Sequence, residues 1–232
     1  MKMQEFFQRG IIFFAMKPKD LKYPFSFKER RPYFHDKVLF VPEYYFSHHL
    51  FDFPRLEGEV KMEYCSGNGH WVIDRALQNP DKLWIAVEKR FDRVAKIYSK
   101  MKNRGVENLL IVCGKGEDFT KHYLSPCSIS EIFINFPDPW PKDKHAKHRL
   151  MCPDFLGLLE NVLKDFGKVT FVTDDAVYLE ETRSCFEAHA AFDFSEYSSN
   201  VVHYGSSYFE TLWREKGRMI HYLQFSKKEK VC

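Results

Sequence analysis

The chain lacks any apolar run long enough to cross a bilayer. Its longest early one, Ile11 to Met16, falls far short of the roughly 20 residues a span needs. The same run is too short for the apolar part of a secretory leader, and no small-residue cleavage site follows it. Charge of one sign is also lacking: 35 Lys and Arg stand against 32 Asp and Glu, a net +3. Global charge therefore gives no ground for a nucleic-acid partner; only its local distribution can. Six cysteines (65, 113, 127, 152, 185 and 232) contain no C-x-x-C pair and no His partners at ligand spacing. That pattern argues against zinc or any other metal and against a disulfide framework. It predicts free thiols in a reducing compartment, the cytoplasm. There is no internal repeat and no low-complexity segment. What is present is 232 residues, 44% of them apolar and 23 of them Phe, enough for a sizeable core.

Residues 1–59 differ from the rest. They are rich in Pro, Phe and Lys/Arg and show no sustained helical or strand period, which predicts a largely irregular basic arm. Positions 16–37 hold seven Lys/Arg against three acids. A solvated leader without function is the competing reading. From 60 onward, short apolar runs alternate with amphipathic stretches. Val60–Cys65, Leu83–Val87, Leu109–Cys113, Glu131–Phe136 and Val169–Thr173 read as buried parallel strands. His70–Gln78, Phe91–Asn103 and Asp154–Lys164 read as helices, with Pro153 suited to a first turn. Residues 192–225 read as an antiparallel strand pair ending in Met219–Phe225. The expectation is one α/β domain over 60–232, a mostly parallel sheet with helices on both faces.

Ligands in such sheets sit beyond the carboxyl ends of the strands. After the first run comes Glu63-Tyr64-Cys65-Ser66-Gly67-Asn68-Gly69. Gly67 and Gly69 permit a tight turn and close backbone approach, although a plain turn would look the same. A dinucleotide fingerprint wants Gly or Ala three residues after Gly69, and Val72 stands there, disfavouring a pyrophosphate clamp. Glu88 lies 25 positions after Glu63, where these folds bind ribose hydroxyls. An acid on the ribose without a pyrophosphate clamp points away from NAD and toward a nucleoside cofactor such as S-adenosylmethionine. The fourth run ends in Asn135-Phe136-Pro137-Asp138-Pro139-Trp140-Pro141-Lys142, whose prolines predict a rigid loop holding Asp138 and Trp140. Over 142–149 there are four Lys/Arg, two His and one acid. The run suggests phosphate contacts, against a merely solvated face. Asp174, after the fifth run, can face the pocket or cap the helix that follows.

The string Phe136 to Lys142, followed by His145, Lys147 and Arg149, resembles the signature of the bacterial tRNA (guanine-N7-)-methyltransferases, class I S-adenosylmethionine-dependent enzymes. Glu63 with Gly67 and Gly69, Ala86-Val87-Glu88, Thr173-Asp174 with Tyr178, and Ser207-Tyr208-Phe209-Glu210 with Gly217 support the resemblance, which covers about 60–225. It implies a Rossmann-like fold with a final antiparallel hairpin. It implies that Glu63, Gly67, Gly69 and Glu88 serve the methyl donor, that Asp138 sits at the transfer site, and that Lys142 and Asp174 contact the substrate. Ser207 and Glu210 complete the guanine pocket on this resemblance, and Lys144, His145, Lys147, His148 and Arg149 meet the RNA. The implied substrate is a tRNA guanine in the variable loop; the assembly expected is a monomer or homodimer.

Two positions depart from the family. Cys65 stands where it has glycine, crowding the donor's amino-acid end or widening the turn. Lys115 stands where an acid or amide accepts from the adenine amino group; lysine has donors only. The backbone at Lys115 is expected to line the adenine, with Glu117 or Asp118 as the substitute acceptor. Transfer to an exocyclic amino group is the nearest enzymatic rival, since those enzymes carry a proline-rich acidic or amide loop that Asp138 interrupts here. A non-catalytic RNA-binding protein keeping the fold is the rival from another class.

Overall fold

The computed structural model describes residues 15–26, 29–199, 204 and 207–229. Residues 1–14 and Lys28 of the basic arm, 200–203, 205 and 206 of the expected strand pair, and Cys232 lie outside the described residues. Among the described residues, nine strands form one sheet: β1 (Tyr33–His35), β2 (Val38–Phe40), β3 (Val60–Tyr64), β4 (Leu83–Glu88), β5 (Leu109–Cys113), β6 (Ile129–Asn135), β7 (Leu163–Thr173), β8 (Phe192–Ser198) and β9 (His221–Lys227). Their order is β1-β2-β5-β4-β3-β6-β7-β9-β8. The stretch from β5 through β7 is parallel, and β7, β9 and β8 pair antiparallel. The helices are α1 (His70–Gln78), α2 (Phe91–Asn103), α3 (Gly116–Tyr123), α4 (Pro153–Val162), α5 (Ala176–Glu187) and α6 (Tyr208–Glu215).

The central strands read as unbroken apolar runs because both faces are covered. Their two-residue period sorts the side chains. Trp84, Ala86, Ile111 and Phe133 pack with Trp71, Val72, Ile97 and Met101 of α1 and α2. Ile85, Val87, Val112, Ile132 and Ile134 pack on the other face with Phe119, Phe155, Leu159 and Tyr178 of α3, α4 and α5. Each large side chain so buried contributes about 1.5–3 kcal/mol. All parallel strands therefore end at the same edge, and the loops leaving that edge build the site.

Several expectations change. Residues 33–40 are not irregular: β2 runs parallel to β5, with Val38 opposite Ile111, and β1 folds back on it. The helix expected over 154–164 is α4; it stops at Val162 and the chain extends at once into β7, six residues earlier than its apolar run suggests. A helix, α6, separates the two antiparallel strands, and the second of them starts at His221.

Candidate active site

At the carboxyl edge, β3 runs into a turn of left-handed backbone. Gly67 (φ 55°) and Gly69 (φ 74°) adopt it, and so does Cys65 (φ 60°). For a residue with a Cβ that conformation costs roughly 1–2 kcal/mol, so Cys65 occupies a glycine position under strain. A Cβ on Gly69 would meet Ile97 Cγ1 at 2.7 Å, and one on Gly67 would meet the Phe209 ring at 3.4 Å. Burial and the neighbouring Glu88 and Asp138 carboxylates push the Cys65 thiol up.

Glu88, at the end of β4, holds this turn. Its Oε2 accepts from the Gly67 N–H at 2.9 Å, its Oε1 from the Arg90 N–H at 2.9 Å, and the Arg93 guanidinium stands 3.6 Å away. Glu63 is buried on β3. Its Oε1 accepts from Asn135 Nδ2 at 2.7 Å, whereas its Oε2 has no partner among the described residues. Desolvation, with Glu88 nearby, raises the Glu63 carboxyl to about 7. A buried, half-satisfied acid facing an open cleft is the kind of group a cationic ligand completes. The cleft is lined by Glu63, Cys65, Ser66, Asn68, Gly69, Asn135, Phe136 and Ser207 to Phe209. It thus brings together the turn after β3, the end of β6 and the start of α6, as the sequence reading expects of Glu63, Gly69 and Ser207.

The proline loop leaves β6 beside this cleft. Phe136 (φ 47°) and Trp140 (φ 44°) are both left-handed, and a constraint from outside the loop holds them there. At Phe136 the constraint is its N–H bond to the Val172 carbonyl at 2.9 Å; at Trp140 it is Arg149. Its Nε donates to the Pro139 carbonyl at 2.7 Å, its Nη2 to the Trp140 carbonyl at 3.3 Å, and its Nη1 pairs with Glu181. Arg149 is buried, so the RNA contact expected of it gives way to a structural one: its donors are taken up by loop carbonyls. Lys142, Lys144, Lys147 and His148 are exposed, and His145 and His148 pack their rings against Trp140. Asp138 is also exposed and stands 3.8 Å from Lys89.

Asp174, Lys115, Ser207 and Glu210 each have defined partners. The helix cap after β7 is Asp175, which accepts from the Tyr178 N–H at 2.8 Å, and Asp174 pairs with Arg218. The Lys115 side chain turns away from the cleft, 3.6 Å from Glu43 and over the Tyr44 ring. Ser207 caps α6, its Oγ accepting from the Glu210 N–H at 2.9 Å. Glu210 is buried, its Oε1 shared by Arg214 and Tyr222 and its Oε2 bare. The sequence motifs assign no role to Asn135, Arg93 or Phe209. Asn135 was the findable one, a polar side chain closing an otherwise apolar buried strand.

The β5-β4-β3-β6-β7 order, the glycine turn after β3 and the acid at the end of β4 define a class I methyltransferase fold. Two solved structures share it: the 16S rRNA methyltransferase KamB, with a TM-score of 0.58 and 16% identity over 74% of this chain and 89% of that one, and a SAM-dependent methyltransferase from Aquifex aeolicus, with 0.54 and 13% over 75% and 85%. Residues 57–223 match the family described as a putative methyltransferase. The tRNA (guanine-N(7)-)-methyltransferase of Chlamydia felis is 47% identical over 92% of this chain and 98% of its own length. That of Leptospira interrogans is 34% identical over 70% and 76%. The chain belongs to the tRNA (guanine-N7-)-methyltransferase family.

Proposed function

We propose that this chain transfers a methyl group from S-adenosylmethionine to N7 of a guanine in tRNA, the variable-loop guanine on the family resemblance. The observation that carries the site reading is the pair of bare, buried carboxylate oxygens, Glu63 Oε2 and Glu210 Oε2. The first suits the ammonium of the methyl donor. The second suits the ring N–H and amino group of guanine, which are donors. On this reading Glu88 takes the ribose diol and the turn at Gly67 gives it room, which the position of both at the carboxyl edge of β3 and β4 supports.

The bound donor supplies an electrophilic methyl on a sulfonium centre. Guanine N7 carries a lone pair and no proton, so no general base is required, and the protein's task is alignment and exclusion of water. The base becomes cationic as the methyl arrives. Asp138, 3.8 Å from Lys89, stabilises that developing charge. Lys142 meets the base carbonyl or a phosphate, and Asp174 orients the base edge on release from Arg218. Cysteine-dependent methylation of carbon is disfavoured, because it needs a cysteine nucleophile at this loop and the Pro137–Pro141 segment carries none. Among the described residues no group of three or more His, Cys, Asp or Glu is placed to hold a metal, and no helix is long and apolar enough to cross a membrane.

Position and chemistry are read together by chain scission. After incubation with protein and methyl donor, tRNA should become cleavable by borohydride and aniline at one variable-loop guanine. Methyl incorporation without a cleavable site would overturn the N7 assignment.

A further inference from the structure

Tyr204 connects two parts of the site that the sequence separates widely. Its hydroxyl donates to Asn135 Oδ1 at 2.8 Å, and Asn135 Nδ2 in turn donates to Glu63 Oε1 at 2.7 Å. The Tyr204 carbonyl accepts from Trp71 Nε1 at 2.8 Å and from Arg75, both on α1, and its ring stacks on Trp71. Three residues further on, Ser207 opens α6. The segment that carries Ser207 and Glu210 is therefore fastened to the buried carboxylate on β3 through one amide. An amide that accepts at its oxygen is a better donor at its nitrogen. It also has a fixed orientation, and that decides which Glu63 oxygen is occupied and which is bare.

We infer that Tyr204 is a positioning residue for the methyl donor, acting through Asn135 to hold the Glu63 carboxylate with its free oxygen toward the cleft. Without the tyrosine hydroxyl, the Asn135 amide loses its anchor and is free to rotate. Its hold on Glu63 Oε1 then loosens. The inference rests on the methyl-donor reading of the cleft and names the residue that prepares it.

The test is a double-mutant cycle on the full chain, without RNA, using calorimetric titration with S-adenosylhomocysteine. Tyr204→Phe keeps the ring stack and the backbone carbonyl and removes only the hydroxyl. It should weaken binding by about three- to tenfold, the weight of one hydrogen bond. In a Glu63→Gln background the same change should cost nothing further, because the group it acts through is gone. Equal losses in both backgrounds would show a general structural role, and no loss in the first would remove any role; either overturns the inference. Thermal melts of the ligand-free variants identify any that fail to fold. Should Tyr204→Phe be one of them, Trp71→Phe combined with Arg75→Met, which together remove both donors to the Tyr204 carbonyl and leave the Asn135 side chain unchanged, takes its place with the same predicted pattern. A wild-type protein that binds no S-adenosylhomocysteine would sink the methyl-donor reading itself, a result distinct from normal wild-type binding with an additive cycle.

Discussion

Replacing Arg149 by alanine separates a loop staple from an RNA contact, because the two roles predict opposite results. The guanidinium donates to the carbonyls of Pro139 and Trp140 from a buried position. Hydrogen bonds from a charged group are worth about 1.5–3 kcal/mol, and orphaned carbonyls add to the loss. The Glu181 partner is half exposed, so that ion pair contributes little. A destabilisation of about 2–3 kcal/mol should lower the melting temperature by about 5–10 °C in a chain of this size. The loop it releases carries Asp138 and two residues in left-handed backbone. Turnover should therefore fall on the order of a hundredfold, the penalty for misplacing a reacting group by about 1 Å. S-adenosylhomocysteine affinity and the salt dependence of tRNA binding should hold, since Arg149 is buried with its donors on loop carbonyls. Calorimetric melting, single-turnover transfer and a salt titration of tRNA affinity read all three. An unchanged melting temperature with a salt slope flattened by about 0.7–0.9 would refute the staple and restore the phosphate contact.

The other expectations follow from the same geometry. Asp138→Asn should keep the fold and donor affinity while losing most single-turnover rate; an unchanged rate would remove the charge-stabilising role. Replacing Lys144 and Lys147 together, with Arg149 left in place, should weaken tRNA binding and flatten its salt slope by about 1.4–1.8; wild-type affinity and slope would make the run a solvated face. Glu63, raised by burial to about 7, keeps its proton in the folded chain over a range where the unfolded chain has already released it. Stability should thus fall as pH rises from the ordinary carboxyl value through about 7. Binding of a cationic ligand should tighten over the upper part of that window, and Glu63→Gln should flatten both profiles when they are measured by melting and by calorimetry.

The central sheet was legible because a strand buried on both faces must be apolar throughout, and β5 matches its expected bounds at both ends. The bounds of α1 and α2 were legible from their helical period. The short elements were not. The strands β1 and β2 have three residues each, too few for a period to show, and they exist only because β5 offers an open edge. The helix α3 opens on Gly116 and is charged on its exposed side, so its buried face reduces to Phe119, Thr120 and Tyr123. At the site, residue types were legible and directions were not. A run of Lys, His and Arg reads as one basic patch, yet Arg149 turns inward because two loop carbonyls need a donor. Asp174 and Asp175 are interchangeable as written. Which of them caps α5 is decided by Arg218, 44 residues away in sequence.

The most direct test of the account is nucleoside mass spectrometry of tRNA after incubation with the protein and S-adenosylmethionine carrying a deuterated methyl group. The account predicts label in N7-methylguanosine and in no other nucleoside, with the signal lost in Asp138→Asn. Label in an N2-methylated guanosine or an N6-methylated adenosine, or no label from a protein that binds both tRNA and donor, would contradict it.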